Sequence, residues 1–190
     1  ESKIPKKPIL LAGGGVIQSG ATQDLFDFVK SLNIPVVVSM MGLGSYPEDD
    51  ENYIGMIGIF GQYAANQAVR ESDLVIALGT RFNDRITCCF KKDDLTKKLI
   101  HIDIDEKEIS KIIPAKIGVV EDAKIVLEKL NKQLGLSLTL DFSQWLKEVQ
   151  NLESGNKVPL KRTEKMHSFE VLEKIQECLA GKNLVITTEV

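Results

Sequence analysis

Two arginines four residues apart, Arg81 and Arg85, follow an apolar run in the stretch LVIALGTRFNDR, residues 74–85. A guanidinium carries a planar fork of donors that matches phosphate oxygens. Gly79, between the run and the arginines, lets the backbone approach a ligand closely. Ligands of α/β sheets sit beyond the carboxyl ends of the strands. A strand over 74–78 followed by Gly79, Thr80 and Arg81 therefore has the form of an anion-binding strand tip. The same spacing suits two solvated charges on a loop, and at this point both readings stand. Asp84 either braces one guanidinium or is solvated.

Carboxylates supply the next candidates. Asp103 and Asp105 end the run LIHIDI. A strand-end acid can accept two hydrogen bonds from a ribose diol, while an acid heading a helix caps its free N–H groups. Capping accounts for Asp105, ahead of a helix expected over 106–113, and leaves Asp103 for a ligand. Asp122 is most simply the cap of the helix that follows it. Gly13, Gly14 and Gly15 close the run PILLA, but the dinucleotide fingerprint fails. Gln18 stands where its third glycine belongs, and Ser39, Met40 and Met41 replace the acid after the second strand. The first strand–helix–strand unit therefore does not fit an ordinary nicotinamide site. Met40, Met41 and Met56 suit either a flat ring or a core. His101 reads as a core residue within a strand, and His167 stands alone before a helix. No Ser-His-acid set, HExxH or GxxxxGKS occurs, and Cys88 and Cys89 lack a neighbouring histidine. These residues can bind; they hold no catalytic set.

The elements that must position them follow from periodicity. Strands are expected at 8–12, 35–39, 74–78, 99–104 and 117–120. Helices are expected after Ser19 as cap, through Leu25, Phe28, Val29 and Leu32; after Gly61, through Tyr63 to Glu71; and from Asp122 to Leu134. The glycine-rich stretch 52–61 reads as a loop, and 91–98 as polar and exposed. Alternating strands and helices imply an α/β fold, an open parallel sheet with helices on both faces, Rossmann-like. The rhythm then breaks. A helix is expected over 142–152 with Trp145, Leu146 and Val149 on its apolar side, a linker over 154–161, a helix over 168–179 and a strand over 184–188. The expected organisation is a central domain over 1–134, a helix and linker over 135–162, and the start of a second α/β domain over 163–190. Opening on Glu1 and closing on LVITTEV, the sequence reads as a piece of a longer chain.

Composition narrows the classes. Hydrophobic residues make up 43% and charged residues 27%, enough for a core and too ordered in pattern for a disordered segment. A net charge of −3 without a basic block argues against nucleic acid. No apolar run approaches the ~20 residues of a membrane span. Three cysteines, two adjacent and none in CxxC, suggest neither a disulfide framework nor zinc, and fit a reducing cytoplasm.

Five motifs in order, PILLAGGGVIQSGA, MMGLGSYPEDD, YIGMIGIFGQYAAN, LVIALGTRFNDR and LIHIDIDEKEI, resemble the large catalytic subunit of acetolactate synthase, a thiamine-diphosphate enzyme. The resemblance covers about residues 5 to 134 and continues through the linker. It implies an enzyme that decarboxylates pyruvate on thiamine diphosphate and Mg2+. The two-carbon fragment is then joined to pyruvate or 2-oxobutyrate, in branched-chain amino-acid synthesis. It further implies a homo-oligomer, a regulatory small subunit as a further partner, and FAD in the central domain. By that resemblance Gly13 to Gly15 approach the FAD, and Ser39, Met40 and Met41 border the flavin. Ile57, Gly58, Ile59 and Phe60 line the cofactor. Gly79, Thr80 and Arg81 reach the ribityl diphosphate, with Asn83, Arg85 and Ile86 nearby, and Asp103, Ile104 and Asp122 lie toward the adenosine. The family pattern has histidine at Phe60, threonine at Gln62, aspartate at Asn83, and glycine at Cys88 and Glu121. The family's metal-binding GDG element would follow Val190, so this piece is expected to be inactive alone. Two other readings stand beside it: a spacer domain that has lost FAD, and a related thiamine-diphosphate lyase with another substrate.

Overall fold

The computed structural model describes residues 4–90, 98–137, 140–155 and 166–183. Two compact units are present, 1–156 and 157–190. In the first, six parallel strands form one sheet: β1 (Pro8–Ala12), β2 (Val36–Val38), β3 (Tyr53–Met56), β4 (Leu74–Leu78), β5 (Leu99–Asp103) and β6 (Ile117–Val120). Their order is β3-β2-β1-β4-β5-β6. The chain therefore leaves β1 in one direction and returns to β4 on its other side, which opens a crevice at the carboxyl ends of that pair.

β1 is apolar at every position because both its faces are covered. Ile9 and Leu11 enter one core with Ala64, Ala68 and Val69 of α3 (Tyr63–Glu71) and Trp145, Leu146 and Val149 of α6 (Ser143–Gly155). Leu10 and Ala12 enter the other with Leu25, Phe28 and Val29 of α2 (Thr22–Leu32) and Leu127 of α5 (Ala123–Ser137). Period-two alternation in the strand meets helical stripes on both sides. Trp145 fastens α6 to the sheet, its Nε1–H donating to the Pro8 carbonyl at 3.0 Å. Two short helices, α1 (Gly14–Gln18) and α4 (Asp84–Thr87), follow β1 and β4.

Several elements differ from the sequence expectation. The stretch read as a loop over 52–61 contains β3, so the sheet has six strands rather than five. Backbone bonding to β2 outweighs the glycines there, at the expense of an irregular register and φ 124° at Gly55. The helix expected over 106–113 is a series of turns closed by i→i+3 bonds, with φ 60° at Ser110 ahead of Pro114. Ser19 does not cap α2; it ends α1, with its hydroxyl on the Val16 carbonyl, and α2 starts after Ala21. Gln62, not Gly61, is the cap residue of α3. α6 continues to Gly155, into the expected linker. The strand expected over 184–188 and most of 91–98 lie outside the described residues. In the second unit, α7 (Ser168–Leu179) begins where the spacing placed it, and Glu170 accepts from the His167 N–H at 2.8 Å. Among the described residues no helix is long and apolar enough to cross a membrane.

Candidate functional site

Each strand of the sheet ends in a short segment that turns over its carboxyl edge. Together these segments line one cavity of about 660 Å³, a size typical of sites that enclose a small-molecule ligand. The edge is long, since five strand spacings of about 4.8 Å give roughly 24 Å from β3 to β6. Its chemistry changes along that length. At the ends of β2 and β3 stand Ser39, Met40, Met41, Met56, Ile57, Gly58, Ile59 and Phe60; at those of β1 and β4, Gly14, Gly15, Gly79, Thr80, Arg81, Asn83, Arg85 and Ile86; at those of β5 and β6, Asp103, Ile104, Glu121 and Asp122. A thioether and apolar end, a cationic centre and an acidic end follow in order.

The centre is built by close backbone contact. Gly79 holds φ 57°, a region costly for residues with a Cβ. The N–H of Gly15 donates to the Gly79 carbonyl at 2.9 Å, and that of Gly13 to the Leu78 carbonyl at 2.9 Å. Thr80 is buried, and its carbonyl accepts from Nε2 of His101 at 2.9 Å. That bond fixes the proton on Nε2, and among the described residues Nδ1 then has no partner. Burial lowers the His101 pKa from its ordinary value, against the Thr80 carbonyl and Asp103, which act upward. The ring also meets Phe82 edge-on, at 5.1 Å between centroids. His101 is thus a neutral strut beneath the β4 tip, buried as the sequence suggested but only half satisfied. Asn83 caps α4, its Oδ1 accepting from the Ile86 N–H at 3.1 Å.

Arg81 and Arg85 both line the cavity and are exposed. Among the described residues neither is in an ion pair. Asp84 does not brace them; its Oδ1 accepts from the Arg85 backbone N–H at 3.0 Å. Two guanidiniums without an ion-pair partner among the described residues, at the mouth of a crevice, suit an anion. At the acidic end Asp103 is 9% exposed and its Oδ1 accepts from the Asp105 N–H at 3.0 Å. Asp105 accepts in turn from the Lys107 N–H at 2.9 Å, capping the turns. Asp122 caps α5 by accepting from the Lys124 N–H at 2.8 Å. Glu121 is drawn back along the same helix: Oε1 accepts from the Asp122 N–H at 3.1 Å, and Oε2 lies 3.6 Å from Lys129 Nζ.

Every residue that the resemblance assigns to the cofactor lines this cavity except Gly13, whereas Gln62, Asp84, Cys88, Cys89, His101 and Asp105 do not. A Cβ at Gly13 would lie 2.2 Å from the Gly79 carbonyl oxygen, so close contact between the ends of β1 and β4 requires glycine there. Gln18, Ser19, Ile102 and Ala123 also line the cavity. Gln18, Ser19 and Ile102 fall within quoted motifs and Ala123 does not, but none had a binding role there, and only their place beside a strand end could have marked them. Among the described residues no cluster of three or more His, Cys, Asp or Glu could hold a metal ion.

Comparison with known proteins gives the same picture at the level of sequence. Residues 3–130 match the family described as thiamine pyrophosphate enzyme, central domain. The acetolactate synthase large subunit of Haemophilus influenzae is 42% identical over 164 residues, 84% of this chain and 28% of the relative. The probable acetolactate synthase large subunit of Methanocaldococcus jannaschii is 40% identical over 193 residues, 97% of this chain and 32% of the relative. The chloroplastic acetolactate synthase of Arabidopsis thaliana is 43% identical over 147 residues, 76% of this chain and 22% of the relative. The chain thus spans about a third or less of the length of these curated relatives.

Proposed function

The chain belongs to the thiamine pyrophosphate enzymes, as their central domain, and from that premise we propose that it is the flavin-holding segment of an acetolactate synthase large subunit. The observation that carries the reading is the graded cleft along the strand tips. Flavin adenine dinucleotide has the same gradation: a flat ring system, a diphosphate, and an adenosine with a ribose diol. Met40, Met41 and the segment Ile57–Phe60 would border the ring. Arg81, with Arg85 beside it, would hold the diphosphate. Asp103 would accept from the ribose hydroxyls. The tethering of Glu121 to Asp122 and Lys129 keeps its carboxylate engaged within the protein, which lessens its conflict with a nucleotide.

The whole enzyme would condense two molecules of pyruvate, or pyruvate and 2-oxobutyrate, with loss of carbon dioxide. Thiamine diphosphate and Mg2+ supply that chemistry, and this segment contributes the cleft and its walls. It would act within a cytoplasmic homo-oligomer, with a regulatory small subunit as a further partner, and would be inactive alone. The deciding experiment measures bound flavin per chain in the full-length enzyme carrying Arg81→Ala. Flavin content well below wild type supports the clamp; unchanged content overturns it.

A further inference from the structure

We infer that Asn66, which lies outside the cavity lining, is the positioning residue that holds the apolar end of the cleft in shape. The inference rests on the flavin reading of that cleft and adds a residue to it.

β3 is the edge strand of the sheet, so the chain leaving it has a strand to bond on one side alone, where the Ile57 N–H donates to the Val38 carbonyl at 2.9 Å. On the other side the side-chain amides of α3 and of its cap residue take the place of a strand. The Gly58 N–H donates to Asn66 Oδ1 at 3.0 Å, and Asn66 Nδ2 donates to the Gly58 carbonyl at 3.0 Å. One turn earlier on the helix, Gln62 Oε1 accepts from the Met56 N–H at 2.6 Å. A carboxamide that both accepts from and donates to one residue copies the pairing of a strand. It therefore fixes the orientation of that peptide as well as its distance.

The fixed residue is an unusual one. Gly58 holds φ 108°, and a Cβ there would lie 2.9 Å from the Arg85 carbonyl oxygen. The same carbonyl accepts from the Ile59 N–H at 3.0 Å, and the Gly58 carbonyl also accepts from the Gly61 N–H at 2.9 Å. The arch from Ile57 to Gly61 is thus tied to α3 on one side and to α4 on the other. Its tip carries Ile59 and Phe60, 59% and 66% exposed, along the cavity. Apolar side chains with that much contact with water gain by folding back on themselves. A restraint is needed to keep them open as a wall, and the Gly58–Asn66 pair supplies it. Gln62 is exposed, so water competes for its bond; Asn66 is half-buried, which makes it the stronger of the two anchors.

The test is equilibrium binding of FAD and of ADP to the 190-residue chain, wild type against Asn66→Ala and Asn66→Asp. ADP probes only the diphosphate and adenosine part of the cleft. Asn66→Ala should lose about tenfold in FAD affinity and keep its ADP affinity within about twofold. Asn66→Asp keeps the acceptor for the Gly58 N–H but loses the donor, and should fall between. It also serves as the test variant if Asn66→Ala does not fold. Equal FAD affinity in variant and wild type overturns the role of Asn66 and leaves the flavin reading intact, as does equal loss of FAD and ADP. A wild-type chain that binds ADP but not FAD overturns the flavin reading, and this inference with it.

Discussion

Substituting Gly13 by alanine tests how the cleft floor is built. The backbone at Gly13 has φ −110°, open to any residue, so the cost is purely steric. The new Cβ would lie 2.2 Å from the Gly79 carbonyl oxygen, 2.4 Å from Thr80 Cβ and 2.6 Å from Thr80 Cα. Ordinary contact between such atoms begins near 3.5 Å, so the ends of β1 and β4 must part by about 1 Å. That displacement would stretch the 2.9 Å bonds from Gly13 to Leu78 and from Gly15 to Gly79. Overpacking of this kind costs about 1–3 kcal/mol, and with backbone on both sides we expect the upper half of that range. At a urea slope of about 2 kcal/mol per molar, the unfolding midpoint should fall by about 1 M. The assay is the fluorescence of Trp145, the single tryptophan, which is buried in the first unit. Gly20→Ala is the control: φ is 68° there but nothing lies within 4 Å of the new Cβ, so only about 1 kcal/mol of left-handed strain applies. A Gly13→Ala midpoint equal to wild type, or to that of Gly20→Ala, would refute the reasoning.

Three further perturbations follow from the geometry. His101 is held neutral by burial, with its folded pKa below the ordinary 6.5. The folded state then binds fewer protons than the unfolded one, so stability is full above that value and is lost as pH falls below it; urea midpoints across this window should decline in wild type and flatten in His101→Leu. Asp50 acts at lower pH. Burial pushes its carboxyl upward, but the Asn52 N–H, the Tyr46 hydroxyl and Lys30 bring the net pKa below the ordinary 3.8. Its contribution is present above that value and lost as pH falls through the depressed one; acid titration of Asp50→Asn should lack this last step. Trp145→Phe leaves the Pro8 carbonyl without its 3.0 Å donor and should cost about 1–3 kcal/mol, read by chemical unfolding followed by circular dichroism.

The helices and central strands were legible because their signals are local and periodic. Leu25, Phe28, Val29 and Leu32 share one face of α2, and the β1 run carries both its cores in its own alternation. Less legible were elements settled by partners distant in sequence. β3 is only four residues long, with two strand-favouring residues, Tyr53 and Ile54, ahead of Gly55 and Met56, and exists because β2 offers it a ladder. The turns over 106–113 have helix-forming residues, but Ser110 and Pro114 interrupt them. For the cleft, the glycines and arginines announced themselves by type, whereas their convergence depended on strand order. Gly13 lies one residue before the lining and packs closely on the end of β4, a contact that sequence alone does not carry. Asn66 closes the motif YIGMIGIFGQYAAN without any role being read there; its role depends on where the end of β3 passes α3.

A crystal structure of the chain grown with FAD would test the central claim most directly. The account predicts one flavin nucleotide lying across the strand tips, its ring system against Met40, Met41 and Phe60, its diphosphate at Arg81 and its adenosine beside Asp103. A nucleotide bound elsewhere, or bound in the cleft with adenosine at the methionine end, would contradict it.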